Sequence, residues 1–208
     1  MADLTRRTFI GACASVVACA GIGGGVRVLG SSAELLRPPG AQDEAHLLGA
    51  CVRCDRCRSV CPTGVIAVGH VEDGLVNART PILDFHKGYC DFCDKCAEVC
   101  MTGAILPFDE TREKIGIAVV IEDRCVAYFG GCDRCAEVCP YEAISLDGAG
   151  HPQVNADACN GCGLCVDECP ALVYRSFVGG VRRGIEVVAP AVYDRLSRTT
   201  VSTESELM

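Results

Sequence analysis

Residues 159–170 read CNGCGLCVDECP: Cys159, Cys162 and Cys165 lie two residues apart, Cys169 follows three residues on, and Pro170 stands behind it. The same frame recurs at Cys51-x2-Cys54-x2-Cys57-x3-Cys61-Pro62 and at Cys90-x2-Cys93-x2-Cys96-x3-Cys100, where Met101 takes the place of proline. A copy stretched after its first member is Cys125-x6-Cys132-x2-Cys135-x3-Cys139-Pro140, with Gly130-Gly131 placed to let the backbone loop out. The four motifs occupy 51–61, 90–100, 125–139 and 159–169. A 4Fe–4S cube needs four thiolates, one per iron, arriving from different directions. Three cysteines at two-residue spacing wrap a loop around three corners, and the fourth can reach a neighbouring cube. The proline behind it suits the first turn of a helix, where no amide donor is required, and predicts a helix leading away from that cysteine. Zinc ribbons use paired C-x2-C units without these third and fourth members. Disulfides give no reason to repeat one spacing four times. The sixteen cysteines of the motifs are therefore read as ligands of four 4Fe–4S clusters, which leaves no thiol among them to act as a nucleophile.

Composition agrees. The 208 residues include 18 cysteines, no tryptophan and only 5% aromatic side chains. So little bulk builds a small core, and such a core needs staples. The 19 basic and 27 acidic residues give a net charge of −8, which disfavours nucleic acid as a partner. No apolar run is clean enough for an integral membrane bundle. His46, His70, His86 and His151 are scattered without ligand or triad spacing. No phosphate-loop or dinucleotide fingerprint is present, and no catalytic residue is expected.

The two remaining cysteines, Cys13 and Cys19, lie in an N-terminal segment of different character. Thr5-Arg6-Arg7-Thr8-Phe9-Ile10 opens a weakly apolar stretch to about Leu29, and Ser31-Ser32-Ala33 closes it. A basic start, an apolar middle and small residues at the end make an export signal, and the paired arginines resemble the twin-arginine (Tat) signal. Residues 1–33 are thus read as a signal helix recognised by the Tat translocon, which would place the protein in the periplasm or on the extracytoplasmic face of the membrane. Cleavage near Ala33, retention as a tether, and lipidation at Cys19, where Val16-Val17-Ala18-Cys19 resembles a lipobox, stay open.

Between the motifs, apolar runs around turn residues read as strand pairs. Val65–Val71 and Leu75-Val76 flank Glu72-Asp73-Gly74. Ala104–Phe108 and Ile115–Ile121 flank a charged turn, and Ala143–Leu146 and Gln153–Asn155 flank Asp147-Gly148. The expected class is α+β. Residues 34–174 would form two bacterial ferredoxin-like two-cluster modules of short helices and small antiparallel sheets. The tail, 175–208, has no cysteine and carries Arg175, Arg182, Arg183, Arg195 and Arg198 around the apolar run Ile185–Val192. It reads as a strand or helix packing back on the module, or as a docking segment for a redox partner. Thr199–Met208 is expected to fray.

A Tat-like signal, four 4Fe–4S motifs and a stretched third motif together resemble the NapG/MauM ferredoxin-type proteins. Lys114-Ile115-Gly116-Ile117-Ala118-Val119-Val120 leading to Cys125, and Gly131-Cys132-Asp133-Arg134-Cys135 after it, carry the likeness, which runs from Arg6 to about Val181. It implies an electron-transfer protein of anaerobic respiration without a substrate site of its own. Electrons would come from a membrane quinol dehydrogenase or another donor and pass to an extracytoplasmic reductase, with a molybdoenzyme as one candidate. Met101 departs from the usual proline, and motif two lacks the wider spacing between its second and third cysteines. The spacing leaves the pairing of motifs open. In a tandem arrangement motif one exchanges its fourth cysteine with motif two, and motif three with motif four. In a nested arrangement one pairs with four and two with three. Nesting belongs to the iron–sulfur subunits of molybdopterin oxidoreductases, which the chain also resembles, and it is the expectation here. Such a subunit, and an accessory protein in maturation of a redox enzyme, are the alternative functions. Finally, Arg53, Arg56 and Arg58 in motif one, against Asp157, Asp167 and Glu168 around motif four, predict a higher potential for cluster one than for cluster four.

Overall fold

A computed structural model describes residues 35–109, 113–172 and 182–205. The signal segment expected at 1–33 lies outside these residues, as do residues 173–181 of the tail region and the last three of the chain. Among the described residues no helix is long and apolar enough to cross a membrane.

Each cysteine motif folds as a loop closed by one helical turn. The turns are α2 (Arg56–Val60), α3 (Lys95–Glu98), α5 (Arg134–Glu137) and α6 (Leu164–Asp167), and each lies at the third cysteine and ends before the fourth. This corrects the expectation of a helix leading away from the fourth cysteine. After Cys61, Cys100 and Cys139 the chain makes a tight turn closed by Gly64, Gly103 and Glu142, whose amides donate back to the carbonyls of those cysteines at 3.2–3.3 Å. Proline, or Met101, sits just inside that turn, the place where a fixed φ is favoured in tight turns. Only after Cys169 does a short 3-10 turn follow, Pro170–Leu172.

The strands form three antiparallel pairs. β1 (Ile66–Val68) pairs with β2 (Pro81–Leu83), β4 (Ile144–Leu146) with β5 (Pro152–Val154), and β3 (Ile117–Val120) with β6 (Ile185–Val188). The hairpin expected around Asp147-Gly148 forms. The one expected around Asp73-Gly74 is displaced: Leu75 and Val76 are exposed, and the return strand starts at Pro81. Asn77 and Thr80 are the reason, since both are buried and tied to a buried arginine described below. β3 takes its partner from the tail instead of from 104–108, so the apolar run Ile185–Val192 does pack back as a strand. The tail then continues as helix α7 (Pro190–Ser205), which runs into the stretch Thr199–Met208 where fraying was expected.

Ahead of motif one stands α1 (Glu44–Ala50), capped by the Asp43 carboxylate, which accepts from the His46 amide at 3.1 Å, and anchored by the fully buried Leu47. One contiguous core joins Leu47, Val65, Ile66 and Ile105 of the first half to Ile117, Ile144, Val166 and Ile185 of the second. Cys96, Cys159 and Cys165 belong to it, so the core is small and lined with thiols. The four histidines sit in turns and at surface contacts. His46 meets the Gly103 carbonyl, His70 caps a 3-10 turn, His86 lies beside Glu186, and His151 stacks on Tyr128.

Candidate metal centres

In three of the motifs the loops wrap because the residues on either side of the second cysteine adopt positive φ. Arg53 and Asp55 do so in motif one, Phe92 and Asp94 in motif two, Gly161 and Gly163 in motif four. A non-glycine residue held there costs roughly 1–2 kcal/mol, a strain concentrated at the cysteine loops of the first half. In motif three the inserted residues coil into a turn of helix, α4 (Ala127–Gly130), and Gly131 at φ 75° steers the chain into Cys132.

Cys51, Cys54 and Cys57 share an open-mouthed cavity with Cys100, and Cys90, Cys93 and Cys96 share one with Cys61. In the second half, Cys125, Cys132 and Cys135 gather with Cys169, and Cys159, Cys162 and Cys165 with Cys139. The pairing is therefore tandem, and the nested expectation is corrected. The helical turn between third and fourth cysteine carries the chain across to the neighbouring site. α2 packs on α3 and α5 on α6, so each fourth cysteine arrives beside its neighbour's loop.

All sixteen cysteines are free thiols. Among the described residues no group of His, Cys, Asp and Glu side chains converges as around a single ion. Each quartet lines the wall of an open cavity instead. That suits a cube and not a tetrahedral zinc ion, whose Zn–S distance is about 2.3 Å.

Electrostatics give the second test of fit. Burial pushes Cys57, Cys90 and Cys135 up to about 12 and Cys96 and Cys162 up to about 11. Cys165 is pushed up further by burial and then by neighbouring thiolates. For Cys135 the charges that add to burial belong to Cys125, Cys132 and Cys169, the other members of its own quartet. Four thiolates cannot share such a pocket as bare anions; they need a positive centre among them. The fourth cysteines are prepared differently. At Cys61 and Cys100 burial is outweighed by hydrogen bonds, from Thr63 and the Ile66 amide in one case and from the Ile105 amide and Thr102 in the other, and both thiols fall below the ordinary value. The Ala143 amide donates to Cys139 Sγ at 3.3 Å and the Gly184 amide to Cys169 Sγ at 3.4 Å. Thr63 and Thr102 were not singled out from sequence, although Thr-Gly recurs at the same offset behind Cys61 and Cys100. Arg183, named from sequence only as one of the tail arginines, belongs to the site: its guanidinium donates to the Cys169 carbonyl.

The two modules join at motifs two and four. The Cys90 amide donates to the Cys162 carbonyl at 2.8 Å, and Phe92 meets Tyr141 edge-on at 6.2 Å between centroids. A Cβ on Gly163 would overlap the Phe85 ring, so glycine is required for this approach as well as for its φ of 79°.

Residues 42–105, 89–143 and 118–174 each match a 4Fe-4S dicluster domain. The first and last windows coincide with the two modules, and the middle one spans motifs two and three across their boundary. The chain is 35% identical over 135 residues to ferredoxin-type protein NapF of Escherichia coli K12, covering 65% of this chain and 80% of that protein. The NapF proteins of strains CFT073 and O157:H7 match to the same extent. The chain belongs to the ferredoxin-type 4Fe-4S proteins. It is an iron–sulfur electron-transfer protein related to NapF, and its four quartets provide for four clusters. When bound, a 4Fe–4S cube supplies one-electron redox chemistry. The polypeptide's part in this ferredoxin-type protein is to exclude water with Val65, Ile105, Ile144 and Ile185, which line the four cavities, and to direct hydroxyl and amide donors at the cysteine sulfurs.

Proposed function

We propose that this ferredoxin-type protein carries electrons outside the cytoplasm, from a membrane quinol-oxidising dehydrogenase or comparable donor to a reductase of anaerobic respiration. The observation that carries the reading is the contact between modules. The Cys90–Cys162 hydrogen bond joins two modules that would otherwise be separate two-cluster units, so that four quartets form one connected series. A carrier spanning two partners gains from such a series. The Arg6-Arg7 signal supports export, and the Tat translocon is the route that accepts a protein already folded around its cofactors. The signal and the stretched Cys125-x6-Cys132 spacing favour a place beside the NapG/MauM proteins within the family. The alternative of a molybdopterin oxidoreductase subunit loses the nested topology that suggested it.

The test has two arms. Anaerobically purified protein should take up about one electron per cluster from dithionite and return it to an oxidant, followed by electron paramagnetic resonance. Protein with Arg6→Lys and Arg7→Lys should stay in the cytoplasm with its clusters loaded. Unchanged export of that variant removes the extracytoplasmic assignment, and clusters that do not cycle remove the carrier role. A partner reductase that is inactive when made in cells lacking this protein, yet fully reduced by it in vitro only after cofactor insertion, would instead mark it as a maturation factor.

A further inference from the structure

The face above the first quartet differs from the rest of this acidic protein. Cys54 is exposed there, and around it stand Arg53, Arg56 and Arg79, all exposed and none with a carboxylate at ion-pair distance among the described residues. Between them lie Val52, 64% exposed, and Met101, 74% exposed, both on the wall of the cysteine cavity. Three segments build this surface. Arg56 Nη1 donates to the Met101 sulfur at 3.1 Å, tying motif one to the turn after motif two. Arg53 Nη2 donates to the Val76 carbonyl at 2.9 Å, tying motif one to the loop ahead of β2. Met101 thus has a place: where the other three motifs have proline, this one presents a soft, adaptable side chain to solvent. At the opposite end the corresponding arginine, Arg134, is already occupied by Glu168 at 2.7 Å and Glu137 at 3.5 Å.

We propose that this arginine-rimmed apolar face over Cys51, Cys54, Cys57 and Cys100 is the docking surface for a redox protein whose own exposed centre is ringed by carboxylates. The inference rests on the electron-carrier reading above. Charge complementarity selects the partner: on a chain of net charge −8, three unpaired cations in one place orient an approaching acidic surface and leave basic surfaces to be drawn elsewhere. The apolar centre supplies the dry contact that such a rim surrounds. A membrane of anionic lipid would meet the same charges, but it would seal the one cysteine of the quartet that faces solvent.

Two cobalt(III) complexes test it by stopped flow on dithionite-reduced protein, one electron passing to each cobalt as it becomes cobalt(II). Tris(oxalato)cobaltate(III), a trianion, should react more slowly as salt rises, despite the negative charge of the chain. Arg53→Gln/Arg56→Gln/Arg79→Gln should slow it roughly tenfold at low salt and leave hexaamminecobalt(III) no slower, while the corresponding triple Lys variant keeps the wild-type rate. A readout independent of electron transfer is line broadening of the Met101 methyl resonance by redox-inert hexacyanochromate(III), expected in wild type and lost in the Gln variant. A trianion rate that rises with salt in wild type, or a Gln variant equal to wild type in both measurements, overturns the proposal. So does binding to phosphatidylglycerol vesicles that the Gln substitutions abolish while the cobalt rates stay unchanged; that result assigns the face to a membrane. If neither complex oxidises the protein, the carrier reading fails, and the broadening experiment still decides the surface.

Discussion

The two modules solve the same problem with different parts. In the second, strands from before motif three and after motif four close the unit: Ile117 faces Val188, Val120 faces Ile185, and the returning chain brings the Gly184 amide onto Cys169 Sγ. In the first, the corresponding segments are residues 36–41 and 104–108, and they make no ladder. Pro38 and Pro39 have no amide hydrogen to contribute, and a single bond from the Leu106 amide to the Gly40 carbonyl, 2.9 Å, takes the place of a strand pair. What holds the segment is Arg37. Buried to 3% exposure, it donates to the Glu44 carboxylate, the Thr80 hydroxyl, the Pro81 carbonyl and the Asn77 amide oxygen. One module is closed by backbone and the other by a side chain, so they should fail in different ways.

The largest effect expected is from the backbone closure. A stop codon after residue 181 removes β6 and the Gly184 donor together. Iron analysis should then show loss of about half of the roughly sixteen irons that four cubes imply, with module one still folded and loaded. Loss of all iron would mean that module one cannot stand without β6.

Arg37→Met addresses the other closure. It strands Glu44 and the buried Asn77 and Thr80, and should cost module one roughly 3 kcal/mol. Followed by cluster absorbance during denaturation, two transitions should separate where wild type shows less difference, the earlier one belonging to the first module. Equal shifts of both transitions would show that the modules unfold as one unit.

The boundary itself is probed by Gly163→Ala, which forces a methyl into the Phe85 ring at positive φ and should cost about 1–3 kcal/mol. Phe85→Leu in the same chain should recover part of that. Gly103→Ala, with open space around it although φ is 66°, should cost about 1 kcal/mol.

The smallest effect concerns pH. Burial raises the Asp84 carboxyl, but the Lys87 ammonium at 2.7 Å and the His86 amide outweigh it, and the group lies below the ordinary aspartate value. A lowered folded value contributes stability that is full above the ordinary value, near pH 4, and is lost as pH falls through the lowered one. Asp84→Asn should therefore destabilise module one by less than about 1 kcal/mol at neutral pH, since solvent screens the pair, and should match wild type in strong acid.

The sequence made the sixteen cysteines and their grouping into motifs legible, because a repeated spacing has few physical causes. It could not reveal which motif completes which quartet: tandem and nested exchange use identical spacings, and the deciding contacts, α2 on α3 and Cys90 on Cys162, are tertiary. The hairpin at Asp147-Gly148 was legible because its flanks are strands of matched length. The turn at Asp73-Gly74 misled because Leu75 and Val76 look like a strand but are turned to solvent by the Asn77–Thr80 anchor. Proline after the fourth cysteine suits a helix start and a tight turn alike, since both positions favour the same φ, and behind Cys61 and Cys139 it serves the turn. The charge ordering of the clusters meets a similar limit. Arg58 is paired with Asp55 at 2.6 Å, Arg134 of motif three reaches Glu168 of motif four, and Arg183 of the tail lies against Cys169, so the charges near a quartet are not those of its own motif alone.

The exchange of fourth cysteines has a consequence for how the molecule is made. A ribosome delivers Cys51, Cys54, Cys57 and Cys61 first, yet at that moment no quartet is whole, because three of these await Cys100 and the fourth belongs to a loop not yet synthesised. The site of Cys61, Cys90, Cys93 and Cys96 becomes complete when Cys96 emerges, and that of Cys51, Cys54 and Cys57 follows when Cys100 does. In the second module the site of Cys139, Cys159, Cys162 and Cys165 is complete at Cys165, and that of Cys125, Cys132 and Cys135 waits for Cys169. Translation that stops short of residue 96 leaves nothing able to retain a full cube, and translation that stops between residues 100 and 165 leaves one finished pair. The nascent chain thus gains its cofactor sites in two closely spaced pairs, and in each the later motif's site is whole before the earlier motif's.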